Sequence, residues 1–226
     1  MIDLELNSST DLKREGKSFY WASFFLPKSS KKNAGILYSI CRYFDDIADK
    51  YSQDQSHYLK NSIEEIKNNK NNKVNVFLKK NNINNAILID LIDGLILDQK
   101  NIRIQNKEEL IKYSYHVAGT VGLMMSKIIG VKNEEAAKSA IDLGIGMQLT
   151  NIARDVYEDS KMKRIYLPAN WIPNISLKNL NYPNQFNSEK DDIISKAIHK
   201  VITLSEKFYI NGFAGLKYIP LSTRLG

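Results

Sequence analysis

Cysteine is nearly absent from this sequence. Among 226 residues only Cys41 carries a thiol, so no disulfide can form within the chain. That composition excludes the small disulfide-stapled scaffolds of secreted proteins and fits a reducing compartment. The first ten residues, MIDLELNSST, also lack the apolar segment of a secretory signal. We therefore expect a cytoplasmic protein.

Long apolar runs are missing as well. The most apolar stretch covers residues 117–131 and is interrupted by Ser126 and Lys127. It is shorter than the roughly 18 residues that a membrane-spanning helix needs. We expect no transmembrane segment, with peripheral attachment to the inner face of a membrane as the alternative to a wholly cytoplasmic location.

The sequence is also poor in residues that mark linkers and strands. It has 5 prolines and 11 glycines, and no Pro/Gly/Ser-rich segment divides it. Its length suits one hydrophobic core, so we predict a single domain over residues 1–226. Period-two alternation of useful length is absent, whereas apolar residues recur at helical spacing. These patterns predict an all-α fold.

Positive charge is in excess but spread out. The net charge is +7, and much of the excess comes from lysines scattered with asparagines through residues 60–85. A nucleic-acid reader needs its basic residues on one face. We interpret this stretch as a solvated surface, with a loop after a helix at 57–68, and we expect no nucleic-acid partner.

Apolar periodicity predicts the positions of the helices. They cover residues 11–25, 30–50, 57–68, 83–98, 106–129, a segment from 133 through the acidic stretch, and 188–211. Side chains that can cap a helix precede four of them: Thr10, Asn106, Asn133 and Ser188. The aromatic residues of the first helix are predicted to face the core, a ligand role being equally open.

Three further patterns were weighed for chemistry. Asp90, Asp93 and Asp98 show no paired four-residue spacing and are interpreted as a solvated helix edge. Gly144-x-Gly146 is no dinucleotide fingerprint, because a third glycine and a preceding strand are absent. Small residues share one stripe with a phenol and indicate close approach by another helix or by a ligand. The stripe consists of Tyr115, Ala118, Gly119, Gly122 and Ser126.

Acidic and amide side chains are concentrated in residues 143–168. Four of them recur at offsets that return to one face of a helix: Gln148, Asn151, Asp155 and Asp159. One helical turn separates the two carboxylates, which suits shared binding of hard cations. A basic cluster suited to a bound anion follows directly: Lys161, Lys163 and Arg164.

A second acidic pair with the same spacing lies about a hundred residues earlier. It consists of Asp45 and Asp49, with Arg42 on the same helical stripe. Two such helices facing each other would form a metal–diphosphate site. Magnesium suits it best, because it prefers oxygen ligands and bridges carboxylates to phosphates; manganese is the alternative.

Six motifs of the sequence resemble one protein family. They are GKSFYWASFFLP (16–27), LYSICRYFDDIAD (37–49), YSYHVAGTVGLMM (113–125), MQLTNIARDVYED (147–159), RIYLPANW (164–171) and AGLKYIPL (214–221). They span nearly the whole chain and are similar to those of the squalene/phytoene synthases, most of all the bacterial phytoene synthases. The resemblance implies an isoprenoid synthase-type helical fold around a central cavity. That family normally continues beyond the last motif, so we expect its C-terminal helices to be missing here.

The resemblance also implies roles for individual residues. The metal ligands would be Asp45, Asp49, Asn151, Asp155 and Asp159. The residues near the diphosphates would be Arg42, Arg154, Arg164 and Gln148, and the tyrosines lining the cavity would be Tyr38, Tyr115 and Tyr166. Arg42 and Tyr115 join the four aspartates as catalytic residues, and Asp46 supports its neighbour.

The function that the resemblance implies is a magnesium-dependent, head-to-head condensation of two geranylgeranyl diphosphates to phytoene, without a nicotinamide cofactor. The expected route passes through a cyclopropyl diphosphate and belongs to carotenoid biosynthesis. One alternative is a squalene or dehydrosqualene synthase that uses farnesyl diphosphate. Another, from a different class, is a non-catalytic helical protein that binds a partner. On the phytoene interpretation the stripe of small residues lines the cavity, and Gly122→Leu would fill it.

Overall fold

A computed structural model describes residues 17–50, 55–68, 72–99, 102–181 and 188–224 of the protein. In chain order its helices are α1 Lys17–Ala22, α2 Lys28–Lys50, α3 Ser56–Lys67, α4 Lys73–Lys80, α5 Asn85–Asp98, α6 Lys107–Ser114, α7 Thr120–Ile128, α8 Glu134–Arg154, α9 Val156–Lys161, α10 Leu177–Asn181 and α11 Ser188–Ala214. Short 3₁₀ turns follow at Ser23–Phe25 and Leu216–Tyr218. Within the described ranges the one extended pairing is an isolated bridge between Arg103 and Ile165, so the all-α prediction is confirmed.

Two groups of buried residues hold these helices together. The first joins α2, α3, α4, α5 and α7, and on α2 it includes the fully buried Leu37, Ile40 and Phe44. The second joins α6, α8 and α11 with the chain around α9 and α10, and on α8 it includes Leu149 and Ile152. Burying a side chain of this size contributes about 1.5–3 kcal/mol. Each acidic motif therefore lies on a helix whose other face is anchored in a core.

The middle of the chain packs around α8. The long helix α11 runs along one side of α8, and α7 with the turn before it packs on another. Asn133 begins α8 as predicted, because its side-chain oxygen accepts from the backbone nitrogens of Glu135 and Ala136. Asn106 likewise begins α6 by accepting from the nitrogen of Glu109. Thr10 lies outside the described residues.

The helix predicted over residues 106–129 is interrupted. A π-helical turn, Tyr115–Gly119, separates α6 from α7. Such a turn inserts an extra residue into the helical repeat, and it commonly marks functional sites. The side chains on its two sides are therefore rotated relative to those of a continuous helix.

The loop predicted after residue 68 is partly wrong. Residues 73–80 form the two-turn helix α4, whose start is capped by the Asn72 side chain through a 2.8 Å bond from the nitrogen of Asn75. Val74, Phe77 and Leu78 bury its inner face. The many Lys and Asn residues of this segment favoured the loop interpretation. Three apolar residues at helical spacing are nevertheless enough to anchor two helical turns against the core.

The core-facing prediction for the first aromatic cluster is also wrong for three of its members. Trp21 is 70% exposed, and Phe24 and Phe25 are exposed as well. The helix ends at Ala22, and closely spaced aromatic rings cannot all point to one face of so short a segment. The Lys31 amine lies 3.6 Å from the centre of the Phe24 ring on this surface.

None of the described helices is long and apolar enough to cross a membrane.

Candidate active site

The first acidic motif lies on the C-terminal half of α2. Asp45 and Asp46 are both bound by Arg42, at 3.0 Å and 2.8 Å. Asp49, one turn further on, points to a different partner and pairs with Arg164 at 2.9 Å. The two predicted ligands of this motif therefore have separate cations beside them.

The second motif spans a break between two helices. α8 ends at Arg154, Asp155 leaves helical geometry with a ψ of 18°, and α9 begins at Val156. The bonds from the nitrogen of Asp155 to the oxygen of Asn151 and from the nitrogen of Asp159 to the oxygen of Asp155 keep the helical register. The predicted shared face of these residues is thus largely retained. Arg154 holds Asp155 through two bonds of 2.6 Å.

A tight turn after α9 sends the chain back across the second motif. Lys163 adopts a positive φ of 62°, and the Arg164 nitrogen donates to the Asp159 oxygen at 3.0 Å. A residue other than glycine is uncommon in this left-handed conformation. The turn points the Arg164 side chain away from solvent towards α2, where only 10% of it remains exposed.

Arg164 connects the two motifs. It pairs with Asp49, from which it is separated by 115 residues, and its charge also acts on Asp159. Burial opposes the positive charge, but the carboxylates of Asp98 and Asp49 around it outweigh burial and raise the pKa of the guanidinium. Arg164 therefore stays charged, and it lies between acids of both motifs.

Asp98, at the end of α5, lies beside this arginine. It accepts hydrogen bonds of 2.8 Å from both Tyr113 and Tyr166, whose rings are stacked with centres 4.7 Å apart. Burial raises the pKa of Asp98, while Arg164 and the two hydroxyls act against that rise. The interpretation of Asp98 as a solvated edge residue is wrong, because α6 and residues 164–167 cover its side chain. Tyr166, which the resemblance gives as a tyrosine of the cavity, donates its hydroxyl to Asp98.

Sequence reasoning missed Asp98 and Tyr113. Spacing could not have found Asp98, because its partners come from α6 and from the segment after α9 rather than from its own helix. Tyr113 lies in the motif YSYHVAGTVGLMM, in which the resemblance assigns a role to Tyr115. In the structure the Tyr115 hydroxyl bonds Asp90 at 3.0 Å, two turns of α5 before Asp98. Tyr115 is therefore held away from the residues around Arg164.

The stripe of small residues makes a helix contact. A Cβ built on Gly122 would lie 2.2 Å from the Ala140 carbonyl oxygen of α8, and one on Gly144 would lie 2.3 Å from the Ala118 oxygen. The backbones of α7 and α8 therefore touch at these glycines. The cavity interpretation of Gly122 is wrong, and close helix packing is the reason that Gly122 and Gly144 are small.

The acidic pairs repel within each motif. Burial, and then the charge of Asp49, raises the pKa of Asp45 to about 6. Burial, and then the charge of Asp155, raises the pKa of Asp159 to about 7. The charge of Asp98 adds to both, which shows that carboxylates of the two motifs share one electrostatic environment. Even so, no three Asp, Glu, His or Cys side chains in the described part of the chain are grouped closely enough to hold an ion.

The remaining predicted residues lie along the same helices. Tyr38 is partly buried on α2, two turns before Asp45, and Gln148 is partly buried on α8, one turn before the exposed Asn151. Cys41 is partly buried against the first group of core residues, and burial and the charge of Asp45 raise the pKa of its thiol to about 12. A thiol in that state is unreactive.

A model of the squalene/phytoene synthases matches residues 12–226. The chain belongs to the squalene/phytoene synthase family. It is therefore a prenyltransferase-type enzyme, and the non-catalytic alternative is set aside.

Relatives of this squalene/phytoene synthase cover most of its length. It is 30% identical to a phytoene synthase of Pseudescherichia vulneris over 90% of this chain and 71% of that protein. It is 31% identical to a 15-cis-phytoene synthase of Enterobacter agglomerans over 91% of this chain and 75% of the relative.

Solved structures of the family share the fold. A dehydrosqualene synthase with a bound ligand matches with a TM-score of 0.81 and 26% identity, over 96% of this chain and 78% of that one. A squalene synthase of Alicyclobacillus acidocaldarius matches with a TM-score of 0.79 over 95% of this chain and 84% of its own, at 18% identity. The predicted isoprenoid synthase-type fold is therefore confirmed.

Proposed function

We propose that this enzyme is a magnesium-dependent phytoene synthase, which joins two geranylgeranyl diphosphates head to head through a cyclopropyl diphosphate in carotenoid biosynthesis. The observation that carries the proposal is the pairing of Arg164 with Asp49. It brings a cation of the second motif against an acid of the first, as recognition of diphosphates between two acidic helices requires. The relatives named phytoene synthase support the choice of substrate.

We propose that pairs of carboxylates would hold a divalent cation, since no three acids of the described residues are grouped closely enough to do so. Each motif supplies carboxylates in pairs, and magnesium commonly uses one or two carboxylates while water and phosphate complete its shell. Repulsion within the pairs, which contributes to the raised pKa values of Asp45 and Asp159, is what a cation would relieve. Bound magnesium would offset the charge that develops on a departing diphosphate. The ligands that we propose are Asp45, Asp49, Asn151, Asp155 and Asp159, and manganese is the alternative ion.

The basic residues would then act on the diphosphates. Arg164 is held in place from two sides and can present its remaining donors to phosphate oxygens. Arg154 is mostly exposed, and it could turn towards a bound anion by releasing its two bonds to Asp155. Arg42 keeps Asp45 and Asp46 oriented. We propose that Gln148, Tyr38 and Tyr166 border the substrates, and Tyr115 remains a predicted catalytic residue.

Proton removal does not require a histidine in this proposal. In the described ranges no histidine contacts either motif: His57 pairs with Asn61, His116 with the Asp90 carbonyl, and His199 is exposed. We propose that the departed diphosphate accepts the proton that ends the reaction. The site must exclude water while cations exist, because water would trap them. Phenol rings can stabilise such cations.

A second candidate is the use of farnesyl diphosphate to give squalene or dehydrosqualene. The observation in its favour is the likeness to the solved dehydrosqualene synthase. The same acidic motifs would serve either chain length. All these products are hydrocarbons with little solubility in water, so we propose a cytoplasmic enzyme that associates peripherally with a membrane.

The test is a comparison of the two substrates with purified protein and magnesium. We expect a higher kcat/KM with geranylgeranyl diphosphate, a product with the mass of phytoene, and no need for a nicotinamide cofactor. A higher kcat/KM with farnesyl diphosphate would assign the enzyme to the dehydrosqualene branch, and a cofactor requirement would assign it to the squalene branch. Absence of turnover with both substrates would contradict the proposal.

A further inference from the structure

A groove separate from the acidic motifs runs between α2 and α4. Its volume is about 530 Å³, which falls within the range of small-molecule sites. Each helix contributes four residues at a spacing that places them on one face. The lining residues are Ser29, Lys32, Asn33 and Ile36 from α2, Lys73, Val76, Phe77 and Lys80 from α4, and Asn72 just before α4.

The groove combines an apolar floor with a basic rim. Ile36, Val76 and Phe77 form the floor, and Val76 is 53% exposed although it is aliphatic. The rim carries three exposed lysines, Lys32, Lys73 and Lys80, and no acidic residue lines the groove. None of the three lysines has a carboxylate partner among the described residues. Their charges are therefore available to an anionic ligand.

Asn72 adds a second polar feature to the groove. Its side-chain oxygen caps α4, but its Nδ2 is shielded from solvent and has no hydrogen-bond partner. A shielded donor without a partner costs free energy, which would be recovered if Asn72 turned its amide towards an anionic acceptor in the groove. It stands at the start of α4, where the helix dipole also favours negative charge. Asn72, Lys73 and the start of α4 thus lie at one end of the groove, and Lys80 lies at the other end of α4, close to Lys32 because Asn33 donates to Asn81 there.

The distance from the proposed metal site makes this a different site. Lys32 and Asp45 lie on the same helix, about 20 Å apart along its axis at a rise of about 1.5 Å per residue. None of the residues that line the groove belongs to either acidic motif. A ligand could therefore be held here by the lysines alone, without a cation.

We propose that this groove is an accessory site that binds a free prenyl diphosphate without metal. The diphosphate lies among the lysines, and the first part of the hydrocarbon chain covers the floor. A diphosphate ester carries several negative charges and matches three lysines, whereas the phosphodiester of a membrane phospholipid carries one. The choice of a prenyl diphosphate as the ligand rests on the proposed function. The charge and shape of the groove are observed independently of that function.

The test is a titration of farnesyl diphosphate into the protein with a chelator present, so that the acidic motifs are without metal. The groove variant is Lys32→Ala/Lys73→Ala/Lys80→Ala, and the matched control is Lys60→Ala/Lys138→Ala/Lys207→Ala, which removes three exposed lysines elsewhere. Both lower the net charge of +7 by the same amount. We expect the groove variant to bind about tenfold more weakly and the control to stay within about twofold of wild type.

A further variant separates the floor from the rim. Val76→Asn should weaken binding of farnesyl diphosphate but leave binding of inorganic diphosphate unchanged, because only the former has a chain to bury. Asp155→Asn should leave chelator-stable binding intact. The binding measurements in chelator involve no turnover. They therefore test the accessory site whether or not the enzyme makes phytoene.

Three results would overturn the accessory site. They are no binding in chelator, equal losses in the two lysine variants, or loss of binding in Asp155→Asn. Capture by vesicles of phosphatidylcholine with phosphatidylglycerol, lost in the groove variant while free farnesyl diphosphate does not bind, would instead identify a bilayer as the occupant and overturn the proposal.

Discussion

At the scale of single residues, Arg164 explains how a crowded acidic site keeps its charges in place. It is nearly buried, yet Asp49 and Asp98 compensate its charge from two helices. A lysine could not replace it, because a single ammonium cannot reach two partners in fixed, planar directions. Acids of both motifs therefore lie close to the single positive charge of Arg164, and their combined negative charge exceeds it.

The first prediction concerns the acids proposed as metal ligands. Asp49→Ala and Asp155→Ala should each lower kcat/KM by about a hundredfold or more, because a missing carboxylate weakens the charge stabilisation of the diphosphate. Helical content by circular dichroism should stay near wild type. Asp192→Ala is the control, since Asp192 is an exposed residue of α11 that pairs only with Lys196 in the described structure. Full activity in either ligand variant would disprove the assignment.

The second prediction concerns Asp98, which we expect to act by positioning Arg164. Asp98→Asn keeps the shape of the side chain but removes the charge beside the arginine and one acceptor for the two tyrosines. We expect kcat to fall about 10- to 100-fold with a smaller change in KM, as when a residue supporting a site is removed. Asp93→Asn on the exposed face of the same helix is the control and should be neutral. Equal kinetics in both variants would argue against a role for Asp98.

At the scale of elements, the contact between α7 and α8 determines how the helix that carries the second motif is placed. Gly122 and Gly144 let the two backbones touch, and any Cβ there would meet a carbonyl oxygen of the other segment. The π-helical turn before α7 belongs to the same contact, because Gly119 packs against Ile141 and Ile145 of α8. The position of Asp155 and Asp159 thus depends on small residues more than two turns away.

The third prediction follows from this contact. Gly122→Ala and Gly144→Ala should each destabilise the fold by about 2–3 kcal/mol, because the clash must push two helix backbones apart. Any loss of activity should be the same for long and short substrates. Gly146→Ala is the control on the same helix, since its Cβ would meet neighbours only at 3.4 Å. Thermal melting measures the effect, and a selective loss with the longer substrate would restore the cavity interpretation.

At the scale of the whole molecule, features that depend on short-range interactions could be predicted from the sequence, and features that depend on long-range contacts could not. Helix positions such as α2, α5 and α8 depend on local periodicity and caps, and they follow from the sequence. The acidic motifs follow too, because both pairs have a spacing of one turn. The packing of Gly122 against Ala140 and the partners of Asp98 depend on contacts between distant segments, which no local pattern contains. The single-domain assignment and the roles of the site residues remain predictions.

The last prediction concerns the response of the whole fold to pH and metal. Asp45 and Asp159 have pKa values of about 6 and 7, raised above the ordinary 3.8 by burial and then by their acidic neighbours. A raised carboxyl pKa favours the folded state while the group is protonated, so the contribution of these two groups to metal-free stability should fall as pH rises from about 4 to about 7. Asp45 is 40% exposed, so we discount the effect to about 1–2 kcal/mol for each group.

Magnesium should reverse that trend, because it binds the deprotonated carboxylates and so stabilises the fold more at higher pH. Melting temperatures measured across this pH range, with excess magnesium and with chelator, should therefore diverge as pH rises. The variant Asp45→Asn/Asp159→Asn should lose the part of the pH dependence that these two groups contribute, and it should respond less to the ion. If the wild type and this variant showed the same dependence of metal-free stability on pH between about 4 and about 7, ionisation of the two carboxylates would not be unfavourable in the fold, and the electrostatic case for a cation between the two motifs would fail.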